Sequence, residues 1–215
     1  GIDVITGVLE NEGRWLNRRF FTSIEKKRPY IILKWAQTKD SFVARENFDS
    51  KWISNSISRK IVHKYRTEED AILVGYKTAL HDNPKLNCRN WKGNNPIRIV
   101  LDKSLALPND LHLFDKTIPT ICFNSIKNEK LQNLEFIKID FSNTESEILN
   151  ILHTKNIQSV FIEGGGNTLQ NFINKNLWDE ARIFISETTF ENGIKAPVIS
   201  QVTEKHQIED NILVL

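Results

Sequence analysis

The chain has 215 residues, 40% of them apolar and 26% charged, enough for a full-sized core in one domain with a short extension. Its 29 Lys and Arg are scattered among 27 Asp and Glu for a net charge of +2, which excludes a nucleic-acid stripe or a polybasic membrane patch. Cys88 and Cys122 form no Cys-x-x-Cys pair, no apolar run approaches the roughly 20 residues of a membrane helix, and no signal peptide opens the chain, so a soluble protein of the reducing cytoplasm is expected, without disulfide framework or zinc cluster.

The chain opens on Gly1 and a patterned segment (Ile2, Val4, Ile5, Val8, Leu9), as expected of a piece of a longer polypeptide whose missing part lies upstream. Residues 11–27 read as a connecting segment with one helical stretch around 17–21, and Pro29 starts the main domain, expected to run over 29–215. Tyr30 to Lys34 and Ser41 to Ala44 read as short strands. Ser54 is placed to cap a helix reaching about Glu69, because Ile57, Ile61, Val62 and Tyr65 recur on one face. Ala71 to Gly75 is nearly all apolar and too short for a helix, the pattern of a strand buried on both faces. Ile97 to Leu101, Pro119 to Phe123 and Leu134 to Ile139 repeat it.

Thr144-Glu-Ser-Glu147 has the spacing of a capping box and predicts a helix to about Lys155. Ser159 to Glu163 then reads as a strand, Thr168 to Asn176 as a helix, Ala181 to Ser186 as a strand, and Gln207 to Leu215 as an antiparallel edge strand. This alternation predicts an α/β fold, a mostly parallel central sheet with helices on both faces.

The sharpest chemical feature is Glu163-Gly-Gly-Gly-Asn-Thr168, where a buried strand meets a helix. Glycines there let backbone N–H groups approach a phosphate, and a helix N-terminus adds partial positive charge; a tight turn that uses glycine for its backbone angles accounts for the same residues. Gly-x-Gly-x-x-Gly is not met, since Leu169 stands at the third glycine's place. Val74 to Pro84 is a second strand exit, with Thr78 and Asp82 spaced to share a helix face, although Asp82-Asn-Pro84 is equally a plain turn. Ser50 and Trp52 precede the first long helix, and Arg66 and Arg89 follow; a Trp and two arginines can hold a phosphorylated ring, or pack and be solvated. His63, His81, His112, His153 and His206 show no metal-ligand spacing and read as surface or satisfied histidines.

Arg28 to Gln37, Trp52-Ile-Ser54, His63 to Gly75, Asp82-Asn-Pro84, Asn95 to Asp102 and Glu163-Gly-Gly165 together, in this order, resemble the C-terminal reductase domain of the bifunctional riboflavin-biosynthesis proteins of the RibD family. Gly1 to Val4 and Leu16 to Phe21 are similar to the end of that family's deaminase domain and its linker, so the resemblance implies that residues 1–28 are their remnant. The deaminase zinc signature is absent, so no deamination is expected of this chain, and no metal.

The resemblance implies a dihydrofolate-reductase-like fold, a homodimer, a deaminase domain as partner in the full-length protein, and NADPH-dependent reduction of 5-amino-6-(5-phosphoribosylamino)uracil. By motif, Trp52, Thr78, Asp82, Gly165, Gly166, Asn167, Thr168, Leu169, Gln170 and Asn171 would bind NADPH. Ser50, Arg66, Leu86, Arg89 and Glu163 would face the substrate, the arginines on its 5′-phosphate, and Lys34, Asp82 and Glu163 are the candidate catalytic groups. Lys103 and Ser104, past a strand end, stand where the cofactor's 2′-phosphate could lie. The alternatives are a diaminopyrimidine or pteridine reductase of the same fold, or a catalytically silent nucleotide-binding module.

Overall fold

The computed structural model describes residues 1–50, 53–200 and 204–215. Strands β1 (Tyr30–Gln37), β3 (Ala71–Val74), β4 (Ile97–Leu101), β5 (Thr120–Asn124), β7 (Leu134–Lys138), β8 (Ser159–Glu163) and β9 (Glu180–Ser186) form the parallel body of a ten-stranded sheet. With β6 (Glu129–Leu131), β11 (Lys205–Ile208) and β12 (Asn211–Val214), its order is β11-β12-β9-β1-β8-β3-β4-β5-β7-β6. Both margins are antiparallel hairpins, β11–β12 on one side and β6–β7 on the other. β2 (Phe42–Ala44) pairs separately with β10 (Ile194–Lys195).

Alternate residues of each central strand feed two apolar layers, as the two-residue period of a strand requires. Ile31, Leu33, Leu73, Ile99, Ile121, Val160 and Ile162 point to one side, against Ile148, Leu149 and Leu152 of helix α5 (Thr144–Thr154) and Leu169 and Phe172 of helix α6 (Gly166–Asn174). Ile32, Ile72, Val74, Val100 and Phe161 point to the other, against Val62 of helix α3 (Ser56–Glu68) and Ala79 of helix α4 (Tyr76–Asp82). This doubly covered, mostly parallel sheet with antiparallel margins is the expected fold class.

Several boundaries differ from expectation for local reasons. Helix α3 is capped by Asn55, not Ser54: the Asn55 side chain accepts from the Ser58 N–H at 2.7 Å. Thr144 is the first residue of α5 rather than its cap, and its hydroxyl donates back to the Phe141 carbonyl, while the Glu147 carboxylate accepts from the Asp140 N–H. Helix α6 begins at Gly166, two residues before Thr168. The connecting segment forms two helices, α1 (Glu10–Leu16) and α2 (Arg18–Lys26). The expected edge strand folds as the β11–β12 hairpin, turning at Glu209, whose φ is 52°.

Candidate active site

A cleft of about 640 Å³ opens at the carboxyl ends of β1, β3 and β8, where ligands of open α/β sheets lie. It is lined by Lys34 of β1, Glu163 of β8, the turn Gly164–Gly166, and Thr78 and Asp82 of α4. Ser50, Asn167, Thr168 and Leu169 line it too. Sequence-distant candidates therefore converge because their strands are neighbours: in the parallel pairing of β1 with β8, Lys34 stands opposite Glu163.

Glu163 is nearly buried and grips Arg66 of α3 through two hydrogen bonds, from Nε to Oε1 at 2.6 Å and from Nη2 to Oε2 at 2.7 Å. Burial opposes its charge, but the attraction and hydrogen bonds of Arg66, with Lys34 and His63 behind them, hold its pKa below the ordinary value. Desolvation lowers the Lys34 pKa, Glu163 opposes that shift and Arg66 adds to it. The trio thus places an ammonium whose pKa is lowered opposite a carboxylate whose pKa is held down. Asp82 stands at the rim, where loss of water raises its carboxyl pKa, His81 opposes the rise and Asp49 adds to it.

The glycine turn fits a nucleotide diphosphate. Gly164 and Gly165 have φ of 95° and 68°, the left-handed region that glycine tolerates best, and no side chain caps the first N–H groups of α6. Gly75 permits close packing beneath: a Cβ there would meet the Thr168 hydroxyl at 2.4 Å. A Cβ on Gly166 would meet the Lys195 carbonyl at 3.6 Å, an ordinary contact that displaces nothing.

Other candidates lie elsewhere. Arg66 is turned to Glu163 and Arg89 is exposed, its Nη1 donating to Asn87 Oδ1 at 3.0 Å; neither is among the cleft-lining residues. Leu86 is 1% exposed within the core. Gln170 bonds to Asn174 on its own helix, and the neighbouring Asn171 is exposed. Trp52 lies outside the described residues. Lys103 borders a separate shallow depression with Ser125 and Lys138, and Ser104 is exposed beside it. Among the described residues, no group of three or more His, Cys, Asp or Glu is placed to hold a metal, and no helix is long and apolar enough to cross a membrane.

Sequence reasoning missed Phe48, which stacks on His81 at 4.3 Å between ring centroids, both of them lining the cleft. Lys77 Nζ lies 5.1 Å from the Phe48 ring centroid. Helical spacing places Lys77 and His81 on one face of α4, but nothing in the sequence brings Phe48 to them.

Comparison with known proteins places the chain in a family. The sequence matches the RibD C-terminal domain over residues 29–195. The riboflavin biosynthesis protein RibD of Aquifex aeolicus is 37% identical over 201 residues, 90% of this chain and 56% of that protein. This chain thus spans little more than half of that relative's length. The crystal structure of a diaminohydroxyphosphoribosylaminopyrimidine deaminase/5-amino-6-(5-phosphoribosylamino)uracil reductase from Thermotoga maritima superposes with a TM-score of 0.89 at 34% identity, over 100% of this chain and 63% of that one. A dihydrofolate reductase from Enterococcus faecalis, complexed with NADP(H), shares the fold alone, at a TM-score of 0.53 and 14% identity over 86% of this chain and 91% of that one. The fold is accordingly dihydrofolate-reductase-like, and the chain belongs to the RibD C-terminal domain family.

Proposed function

We propose that the chain is the reductase of riboflavin biosynthesis that converts 5-amino-6-(5-phosphoribosylamino)uracil to its ribitylamino product with NADPH. The observation that carries this reading is the Lys34–Glu163–Arg66 trio set beside the glycine turn. Gly165, Gly166 and the first N–H groups of α6 would hold the cofactor's diphosphate, with Thr78 and Asp82 along the nicotinamide nucleotide and Lys103 and Ser104 toward the 2′-phosphate. NADPH, when bound, supplies the hydride that reaches C1′ of the sugar. Reduction at C1′ requires the ribosyl ring to open by cleavage of the C1′–O4′ bond, which leaves a cationic imine at C1′ and an alkoxide at O4′. A Lys34 ammonium of lowered pKa is suited to protonate O4′, and the Glu163 carboxylate to stabilise the developing cation. Arg89 would meet the 5′-phosphate.

The reading extends to residues 1–28 as the end of a deaminase domain and its linker, and to a homodimer, which a concentration-independent monomer in sedimentation would contradict. The deciding experiment follows NADPH absorbance with the purified chain. Oxidation is expected with the phosphoribosylamino pyrimidine and not with a pteridine, and with lower efficiency when NADH replaces NADPH. Turnover of the pteridine alone, or equal efficiency with both cofactors, would overturn the corresponding part.

A further inference from the structure

His63 is 4% exposed on α3, one turn before Arg66. Its Nδ1 lies 2.8 Å from the carbonyl oxygen of Asn87, and Arg66 Nη1 donates to that same oxygen at 3.0 Å. A carbonyl only accepts, so His63 must carry its proton on Nδ1. The segment from Asn83 to Arg89 leaves α4 through two non-glycine residues at positive φ, Asn83 at 39° and Leu86 at 48°, a path that few side chains adopt freely. The doubly bonded carbonyl lies on this strained path, one residue after Leu86 and two before Arg89. The Asn87 side chain in turn accepts from Arg89 Nη1 at 3.0 Å. His63 also lies within the fields of Arg66, Arg89 and Glu163.

We propose that His63 is a positioning residue for anion recognition: by donating to the Asn87 carbonyl it fixes the loop that presents Arg89 beside the Arg66 end of α3. The proposal rests on the reading above only in taking the anion to be the substrate's sugar phosphate. A histidine that merely filled the core would also need a partner for its buried N–H, but its replacement would affect stability without regard to Arg89. A positioning role makes its effect depend on Arg89.

The probe is ribose 5-phosphate, titrated calorimetrically beside ribose into the wild-type chain and its variants. His63→Phe keeps the ring volume and removes the donor; His63→Asn returns a donor near the Nδ1 position; His63→Gln places it near Nε2. His63→Phe is expected to weaken ribose 5-phosphate binding about five- to tenfold, the worth of one neutral hydrogen bond. His63→Asn should recover most of that loss and His63→Gln little of it. In an Arg89→Ala background, His63→Phe should add nothing, and NADPH affinity should stay unchanged throughout. If His63→Phe fails to fold, the contrast between Asn and Gln carries the test alone.

Additive losses in the double variant, equal binding by the Asn and Gln variants, or no binding of ribose 5-phosphate by the wild type would each overturn the proposal. Turnover separates the two readings. Wild-type chain that binds ribose 5-phosphate with the expected His63 dependence, yet does not reduce the phosphoribosylamino pyrimidine, would leave His63 in place and remove the proposed reaction.

Discussion

A carboxylate sunk at the end of a buried strand stays charged only with a partner, and Glu163 has its partner in Arg66. This engagement separates the two arginines. Arg66→Ala would strip Glu163 of its hydrogen-bonded cation, so a loss of about 3 kcal/mol in urea unfolding is expected, with catalytic loss of equal size on the phosphorylated substrate and its dephosphorylated analogue. Arg89→Ala should instead raise KM for the phosphorylated substrate by one to two powers of ten, about what a charged hydrogen bond contributes, with little stability change. If Arg66→Ala loses activity only on the phosphorylated substrate, Arg66 turns from Glu163 to the phosphate when substrate binds. The Glu163 contribution has a pH sign as well: a depressed pKa stabilises the fold above the ordinary carboxylate value and ceases to do so as pH falls through the folded one. Within the glycine turn, Gly166 gives the cleaner test, because Gly165→Val would strain a φ of 68° whatever is bound. Gly166→Val, whose Cβ would make only an ordinary contact with the Lys195 carbonyl, is expected to keep its melting temperature and lose at least tenfold in NADPH affinity; unchanged affinity would move the diphosphate elsewhere. Glu163 and the glycine turn were legible as candidates because they sit where a strand passes into a helix, Asp82 because it shares a helix face with Thr78, and Lys34 only through the family resemblance. The bond between Arg66 and Glu163 was not, since it spans 97 residues of sequence and depends on which strands become neighbours.

Among the elements, the strands buried on both faces were legible because nothing but a doubly covered sheet accommodates runs such as Ala71 to Val74, all fully buried. Of the N-terminal helices only part of α2 was legible, as the stretch around 17–21: α1 buries no residue and α2 buries only Thr22 and Ser23, so packing against the core marks neither of them. The C-terminal hairpin read as one strand because Glu209-Asp210 is a weak turn signal beside Asn-Gly or Asp-Gly. The start of α3 was misplaced by one residue, and the reason is tertiary. Asn55 serves the helix and the hairpin at once: besides capping Ser58, its Nδ2 donates to the Ile208 carbonyl at 3.0 Å and to Asp210 Oδ1 at 2.6 Å, while its N–H donates to Asn211 Oδ1 at 2.9 Å. Asn55→Ala should therefore cost about 1–2 kcal/mol in urea unfolding, through both the cap and the hairpin contacts. Asn55→Ser keeps a capping oxygen and should recover part of that. Full recovery would show that the hairpin contacts contribute nothing.

At the scale of the whole molecule, the N-terminal helices are attached to the sheet by charge rather than by apolar packing. Arg19 of α2 donates from Nε to Glu69 Oε2 at 2.7 Å and makes a second contact from Nη2 to Oε1. Arg28 and Lys26 both bond Asp179, through Arg28 Nη2 at 2.9 Å and Lys26 Nζ at 2.7 Å. Trp15, Leu16, Phe20 and Ile24 meanwhile remain at least half exposed. The Glu69 side chain is fully buried, and its other near cation, Arg182, is no closer than 3.7 Å. Arg19→Ala would thus leave a buried carboxylate short of its main donor, and a loss of about 3 kcal/mol is expected, with faster proteolytic cleavage of residues 10–28 as α2 detaches. Arg14 supplies the control, because its pair with Glu25 joins α1 to α2 with both side chains nearly half exposed. Water and salt screen such a pair, so Arg14→Ala should cost less than about 1 kcal/mol. Urea unfolding of both variants, with limited proteolysis beside it, decides the matter. Equal small losses would mean that α2 is held by something other than the Arg19–Glu69 bond, and equal large ones that α1 and α2 fold onto the sheet as a single unit.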